Sequence, residues 1–154
     1  MTNTGINAFF RYNDLLASGA QPSADQLNEL KKGGYEAIVN ISTPSARNAL
    51  KDEASLVENL KMIYVHFPVD CSSLQKWHYS TFRGIMKGVE GKKIFVHCGG
   101  NIKSSNLLHM YQVLEEGQNE LESFIQLKKI QNPEEKWIRY FREMGMEGVM
   151  DNKN

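Results

Sequence analysis

The stretch "IFVHCGGNIKSS", residues 94–105, decides how the rest of the chain is read. Ile94, Phe95 and Val96 run straight into His97 and Cys98. The composition then changes at once to two glycines, an asparagine, a lysine and two serines. Extended back to "KKIFVH" (92–97), the run fits a strand covered on both faces in an α/β sheet. Cys98 then stands at the carboxyl end of a central strand, the end at which open α/β sheets bind ligands. Residues 99–103 link it to a helix predicted to begin near Ser104, in "SSNLLHMYQVLEE" (104–116).

Working outward, strands and helices alternate. "LLASGAQ" (15–21) reads as a first strand. "SADQLNELKKGGY" (23–35) opens with Ser23 and Gln26 spaced as a capping box and stops at Gly33 and Gly34. "EAIVNIS" (36–42) and "MIYVHFPV" (62–69) are strands, with a helix around 52–60 between them. "LQKWHYSTFRGIMKGV" (74–89) and 119–130 are helices, and Asn132 with Pro133 predicts the start of a last one. In that last helix Trp137, Ile138, Phe141 and Met144 share a core-facing stripe. The alternation predicts a three-layer α/β fold, a central mostly parallel sheet of four to five strands flanked by helices.

A length of 154 residues fits a single domain over 1–154, with a core over about 14–146 and a frayed tail over 147–154. Equal counts of 18 acidic and 18 basic residues argue against nucleic acid or a membrane surface as a bulk partner. No apolar run approaches the roughly 20 residues of a membrane span, and the first residues do not read as a signal peptide. With two cysteines, Cys71 and Cys98, the expectation is a cytoplasmic protein with free thiols. His66, His78, His97 and His109 show no metal-ligand spacing, so no metal and no cofactor is expected.

The loop itself carries the chemistry. Successive amide N–H groups in a tight loop, aimed with a helix N-terminus at one point, form an anion nest. Gly99 and Gly100 permit the close approach this needs, and Lys103 adds a cation. The same field favours a thiolate over a thiol. Together these features predict a loop that holds phosphate, or an anion of that shape such as sulfate, against Cys98. The plainer reading is a small buried hydrophobe at position 98.

The segment "VHC" (96–98), followed by a short loop and a serine, resembles the cysteine-dependent protein tyrosine/dual-specificity phosphatases. More narrowly it resembles the phosphatase-like domain of beta-lactamase-hydrolase-like proteins. "ASGAQPSADQLNELKKGGYEAIVNIS" (17–42), "IYVHFPVD" (63–70) and "IQNPEEKW" (130–137) match that family's ordered segments, so the likeness spans about 14–144. It implies a phosphatase acting on phosphate monoesters through a cysteinyl-phosphate intermediate. Cys98 is the nucleophile it implies and Asp70 the general acid; Ser105 is the hydroxyl beside the sulfur. Gly99, Gly100, Asn101, Ile102, Lys103 and Ser104 form the phosphate loop. The family's arginine is missing: by register Lys103 takes its place, and the next arginine after Cys98 is Arg139. A lysine offers one point charge where arginine offers a planar fork, which implies a weak enzyme.

Each role has a simpler counterpart. Asp70 is equally a cap for the turn after its strand, Ser104 and Ser105 are equally helix N-caps, and Lys103 is a solvated side chain. His97 either orients the loop or is a satisfied structural histidine, and His66 is packing or surface. Cys71, directly after Asp70, suggests a reversible disulfide with Cys98. Two other functions fit the loop: a rhodanese-like sulfurtransferase, whose basic residue lies five positions after its cysteine as Lys103 does, and a non-catalytic phosphate-binding pseudophosphatase.

Overall fold

In the computed structural model, which describes residues 4–149, five strands form one sheet. In chain order they are β1 (Phe10–Asn13), β2 (Leu16–Gly19), β3 (Ala37–Asn40), β4 (Ile63–His66) and β5 (Ile94–His97). Six helices accompany them: α1 (Ala24–Lys32), α2 (Glu53–Asn59), α3 (Lys76–Gly88), α4 (Ile102–Leu114), α5 (Glu120–Lys128) and α6 (Glu135–Glu143). The spatial order is β1-β2-β5-β3-β4, and every pairing is parallel except β1 with β2. The mostly parallel α/β sheet expected from the alternation is therefore present.

The three inner strands β2, β3 and β5 are buried at every position, mostly by apolar side chains, with Ser18, Asn40 and His97 the polar ones among them. Successive side chains of β5 alternate between two cores. Ile94, Val96 and Cys98 join Val39, Ile41 and the apolar faces of α3 to α6, whereas Phe95 joins Ala17, Ile38, Leu27 and Val57 on the α1–α2 side. Helix α4 is buried from Ser104 to Gln112, which is why its sequence shows no polar face. Trp137, Ile138 and Phe141 are core residues of α6, with Met144 packed against them in part.

Several boundaries differ from expectation. β1 was not expected; it is a four-residue edge strand, too short for period-2 alternation to mark. Helix α1 has its Ser23–Gln26 capping box. Helix α6, by contrast, begins at Glu135 with Glu134 as N-cap and no side-chain cap, so Asn132 and Pro133 precede it instead of opening it. Helix α4 begins at Ile102, two residues earlier than Ser104. Of the expected tail, residues from 150 on lie outside the described residues. Glu147, Gly148 and Val149 are tied down, each donating its main-chain N–H to the Glu120 carboxylate at 2.9–3.1 Å.

One core histidine makes stability depend on pH. Burial pushes the pKa of His109 down from 6.5 to about 4, against the opposing charge of Glu120, and its Nδ1 lies 2.7 Å from Ser123 Oγ. The unfolded chain takes up a proton near pH 6.5 that the folded chain refuses until about pH 4. Stability is therefore full above 6.5 and falls by about 3 kcal/mol as pH drops to 4. Urea unfolding across that range should show the loss, and His109→Phe should flatten it.

Candidate active site

The connection from β5 to α4 is Cys98–Gly99–Gly100–Asn101, four residues that turn the chain from strand to helix. Asn101 makes the turn possible by adopting the left-handed region, φ 67°, which Asn tolerates better than other side-chain-bearing residues. Its Nδ2 donates to Ala8 O at 2.8 Å, tying the loop to the segment before β1. Cys98 is 2% exposed and lies on the α3–α6 side of the sheet.

Three of the loop carbonyls, those of Cys98, Gly99 and Asn101, meet donors. His97 Nδ1 is 3.2 Å from Cys98 O. Gly99 O accepts from the Gln21 N–H at 3.2 Å and from Asn48 Nδ2 at 2.9 Å. Asn101 O accepts from Ser105 N at 3.3 Å and from Ser105 Oγ at 2.5 Å. Among the described residues, the N–H groups of Gly99, Gly100, Ile102, Lys103 and Ser104 donate to no protein acceptor. Free amides at a helix start, beside a buried sulfur, are the donors an anion nest is built from.

The side chains expected around this nest divide. Ser105 does not carry the role expected of it. A hydroxyl has one proton, and Ser105 gives it to Asn101 O while accepting from Gln131 Nε2 at 2.7 Å, so it has no hydrogen for the Cys98 sulfur. Ser104 Oγ, fully buried, has no partner among the described residues and is the free hydroxyl next to the loop. The amide of Asn101 belongs to the loop, but its side chain is spent on Ala8, with Oδ1 unpartnered. Ile102 points its side chain outward, 40% exposed.

Lys103, on the first turn of α4, reaches across to the strand β4 side, where its Nζ donates to Val69 O at 2.5 Å. It is half-buried and anchored on that carbonyl. Next to Val69, Asp70 caps the single 3-10 turn Cys71–Ser73, accepting from Ser72 N at 3.0 Å and Ser72 Oγ at 2.7 Å. These Ser72 hydrogen bonds, helped by the charges of Lys103 and His78, hold the Asp70 carboxyl below the usual range. A proton donor needs the opposite shift, so the resting arrangement favours the capping role. Cys71 and Cys98 are both free thiols, with Lys136 Nζ 3.7 Å from Cys71 Sγ. His66 bonds Ser42 O through Nε2 at 2.8 Å.

Behind the loop are residues that the sequence did not announce. Glu53, 4% exposed, lies 2.6 Å from His97 Nε2 and accepts from Gln21 Nε2 at 2.8 Å. Tyr12 OH bonds Ser18 Oγ at 3.0 Å. Burial pushes the Tyr12 phenol well up, with the Ser18 bond opposing and the charge of a Cys98 thiolate adding to the rise. None of these has a motif; only the pairing of distant segments in the sheet brings them together.

The fold has relatives of known structure. A phosphatase candidate (DUF442) from Shewanella putrefaciens CN-32 superposes with a TM-score of 0.80 at 27% identity, covering 91% of this chain and 92% of that one. Tk-PTP in its active form gives 0.74 at 14% identity, covering 89% and 95%. TpbA of P. aeruginosa, in complex with phosphotyrosine, gives 0.72 at 13% identity, covering 96% and 89%. The chain shares the α/β fold of these structures. No protein-family profile and no curated protein sequence matches it.

Asn101 gives a test of the loop backbone. Asn101→Ala adds left-handed strain to the loss of the Ala8 bond and should cost about 2 kcal/mol in urea unfolding. Asn101→Gly, which loses only the bond, should cost about 1 kcal/mol.

Proposed function

We propose that the protein hydrolyses phosphate monoesters with Cys98 as nucleophile. The observation that carries this reading is the ring of free amides from Gly99 to Ser104 around a cysteine at the end of the central strand. In the first step the Cys98 sulfur forms a bond to phosphorus as the ester P–O bond breaks, and the leaving oxygen departs with a proton. The amides of Gly99, Gly100, Ile102, Lys103 and Ser104 hold the equatorial oxygens, where negative charge builds. In the second step water attacks phosphorus, the S–P bond breaks and inorganic phosphate leaves with Cys98 restored. The free hydroxyl of Ser104 takes the place first given to Ser105, as the donor that eases departure of the sulfur.

Lys103 contributes a point charge in place of a fork. An ammonium has three N–H donors, and the bond to Val69 O uses one. Asp70 is the carboxyl that supplies the leaving-group proton and later accepts one from water. The Ser72 bonds hold its carboxyl below the usual range and so make it a weaker proton donor, and alkyl esters, which need a proton donor most, are the poorer substrates. Aryl phosphates, whose leaving oxygens depart as anions, are the better ones.

One observation favours a second reading. Only four residues separate Cys98 from Lys103, a tighter ring than the five residues between cysteine and arginine in the general phosphatase motif, and rhodanese-like sulfurtransferases share this short spacing. Thiosulfate-to-cyanide transfer assayed beside p-nitrophenyl phosphate hydrolysis separates the two.

Cys98→Ser should abolish p-nitrophenyl phosphate turnover, while Lys103→Arg should raise it about tenfold by adding an oriented donor. Turnover unaltered in both variants would sink the proposal. A protein that binds phosphate without turning over any ester would be the pseudophosphatase. For Asp70→Asn, kcat/KM should fall several-fold more with alkyl than with aryl phosphates; equal slowing would leave Asp70 a cap alone.

A further inference from the structure

Two buried side chains behind the loop take no part in the steps above. His97 is fully buried, and alternation along β5 sends it to the face opposite Cys98. Its Nδ1 is 3.2 Å from the Cys98 carbonyl oxygen and its Nε2 is 2.6 Å from Glu53 Oε2. Glu53 opens α2 at 4% exposure, and its other oxygen accepts from Gln21 Nε2.

Counting hydrogens fixes more than the distances do. A carbonyl oxygen only accepts, so Nδ1 can bond Cys98 O only if Nδ1 carries a hydrogen. Glu53 Oε2 and His97 Nε2 then need one proton between them, on the carboxyl or on the ring. Either placement leaves Nδ1–H aimed at Cys98. Without a partner for Nε2, a neutral ring is free to move its single hydrogen there. Nδ1 would then set a lone pair against the carbonyl, and the Cys98–Gly99 peptide would be released to turn its oxygen toward the nest.

We infer that Glu53 is a positioning residue for the Cys98 loop: through His97 it keeps the Cys98 carbonyl out of the anion nest. The inference rests on reading that loop as an oxyanion cradle. It distinguishes hydrogen bonding from packing. Glu53→Gln can keep its amide oxygen on Gln21 and place its NH2 on His97 Nε2, which preserves the Nδ1–H tautomer. Glu53→Met fills similar space and makes neither bond.

The experiment uses the full chain labelled with 15N-histidine, with tungstate as the oxyanion probe. In the NMR spectrum His97 Nδ1 should carry an exchange-protected hydrogen across the neutral range. By calorimetry Glu53→Met should weaken tungstate binding about tenfold, with Glu53→Gln recovering most of the loss. A His97 Nδ1 without hydrogen, or tungstate bound by Glu53→Met as tightly as by the parent, would overturn the inference. So would Glu53→Gln binding as weakly as Glu53→Met. Should Glu53→Met fail to fold, the parent spectrum and Glu53→Gln still decide. Loss of tungstate binding in the parent itself would remove the cradle reading, whereas an Nδ1 without hydrogen beside intact binding removes the role of Glu53 alone.

Discussion

A peptide group points its N–H and its C=O in opposite directions, and that constraint governs this molecule. For five amides between Gly99 and Ser104 to face one point, the neighbouring oxygens must face away, and in a protein interior each needs a donor. The chain supplies them from three places: His97 of β5 for Cys98 O, Gln21 after β2 and Asn48 before α2 for Gly99 O, and Ser105 of α4 for Asn101 O. A bare glycine loop would leave those oxygens free to rotate inward and would bind an anion poorly. On the proposed reading, the polar residues buried behind Cys98 are thus part of the anion site even though none faces it.

Strand register makes this division of labour possible. Because β5 pairs in parallel with β2 on one side and β3 on the other, its register is fixed twice, and a slip of one residue would exchange every side chain between faces. In the register found, Cys98 extends the line of Ile94 and Val96, and His97 extends that of Phe95, which stacks on His97 with ring centroids 6.0 Å apart. The two hydrophobic cores therefore set which side receives the sulfur and which receives the imidazole.

This explains which parts were legible in the sequence. The β5 run, the Ser23–Gln26 box and the glycines after Cys98 are local signals, each produced by neighbours in the chain, and each lies where it was read. Ser105 was misread because two serines side by side differ only in helical phase. Once α4 starts at Ile102, Ser105 is placed to reach back four residues to Asn101 O, and Ser104 is the one left unpartnered. Glu53 was invisible for a different reason: an acidic residue at a helix start looks like any other first-turn carboxylate. Only the long-range pairing of β3 with β5 brings that helix start against His97. Asp70 was legible as one of two things, and Ser72 two residues on supplies the bonds that favour the cap.

Lys103 ties the first turn of α4 to the segment after β4 through Val69, and its chemistry suits the double part given it in the proposed function. A guanidinium bound to Val69 O would have its plane fixed by that bond, and its fork would then suit an anion only in that plane. An ammonium keeps two further N–H donors free to rotate about the Cε–Nζ bond after the first is placed on Val69. The lysine therefore holds the Val69 carbonyl against α4 and, on the proposed reading, can still present charge to an anion, at the expense of orientation. In the proposed site, structural anchoring and anion attraction are compatible in one residue, and what is given up is the directional grip on two oxygens at once.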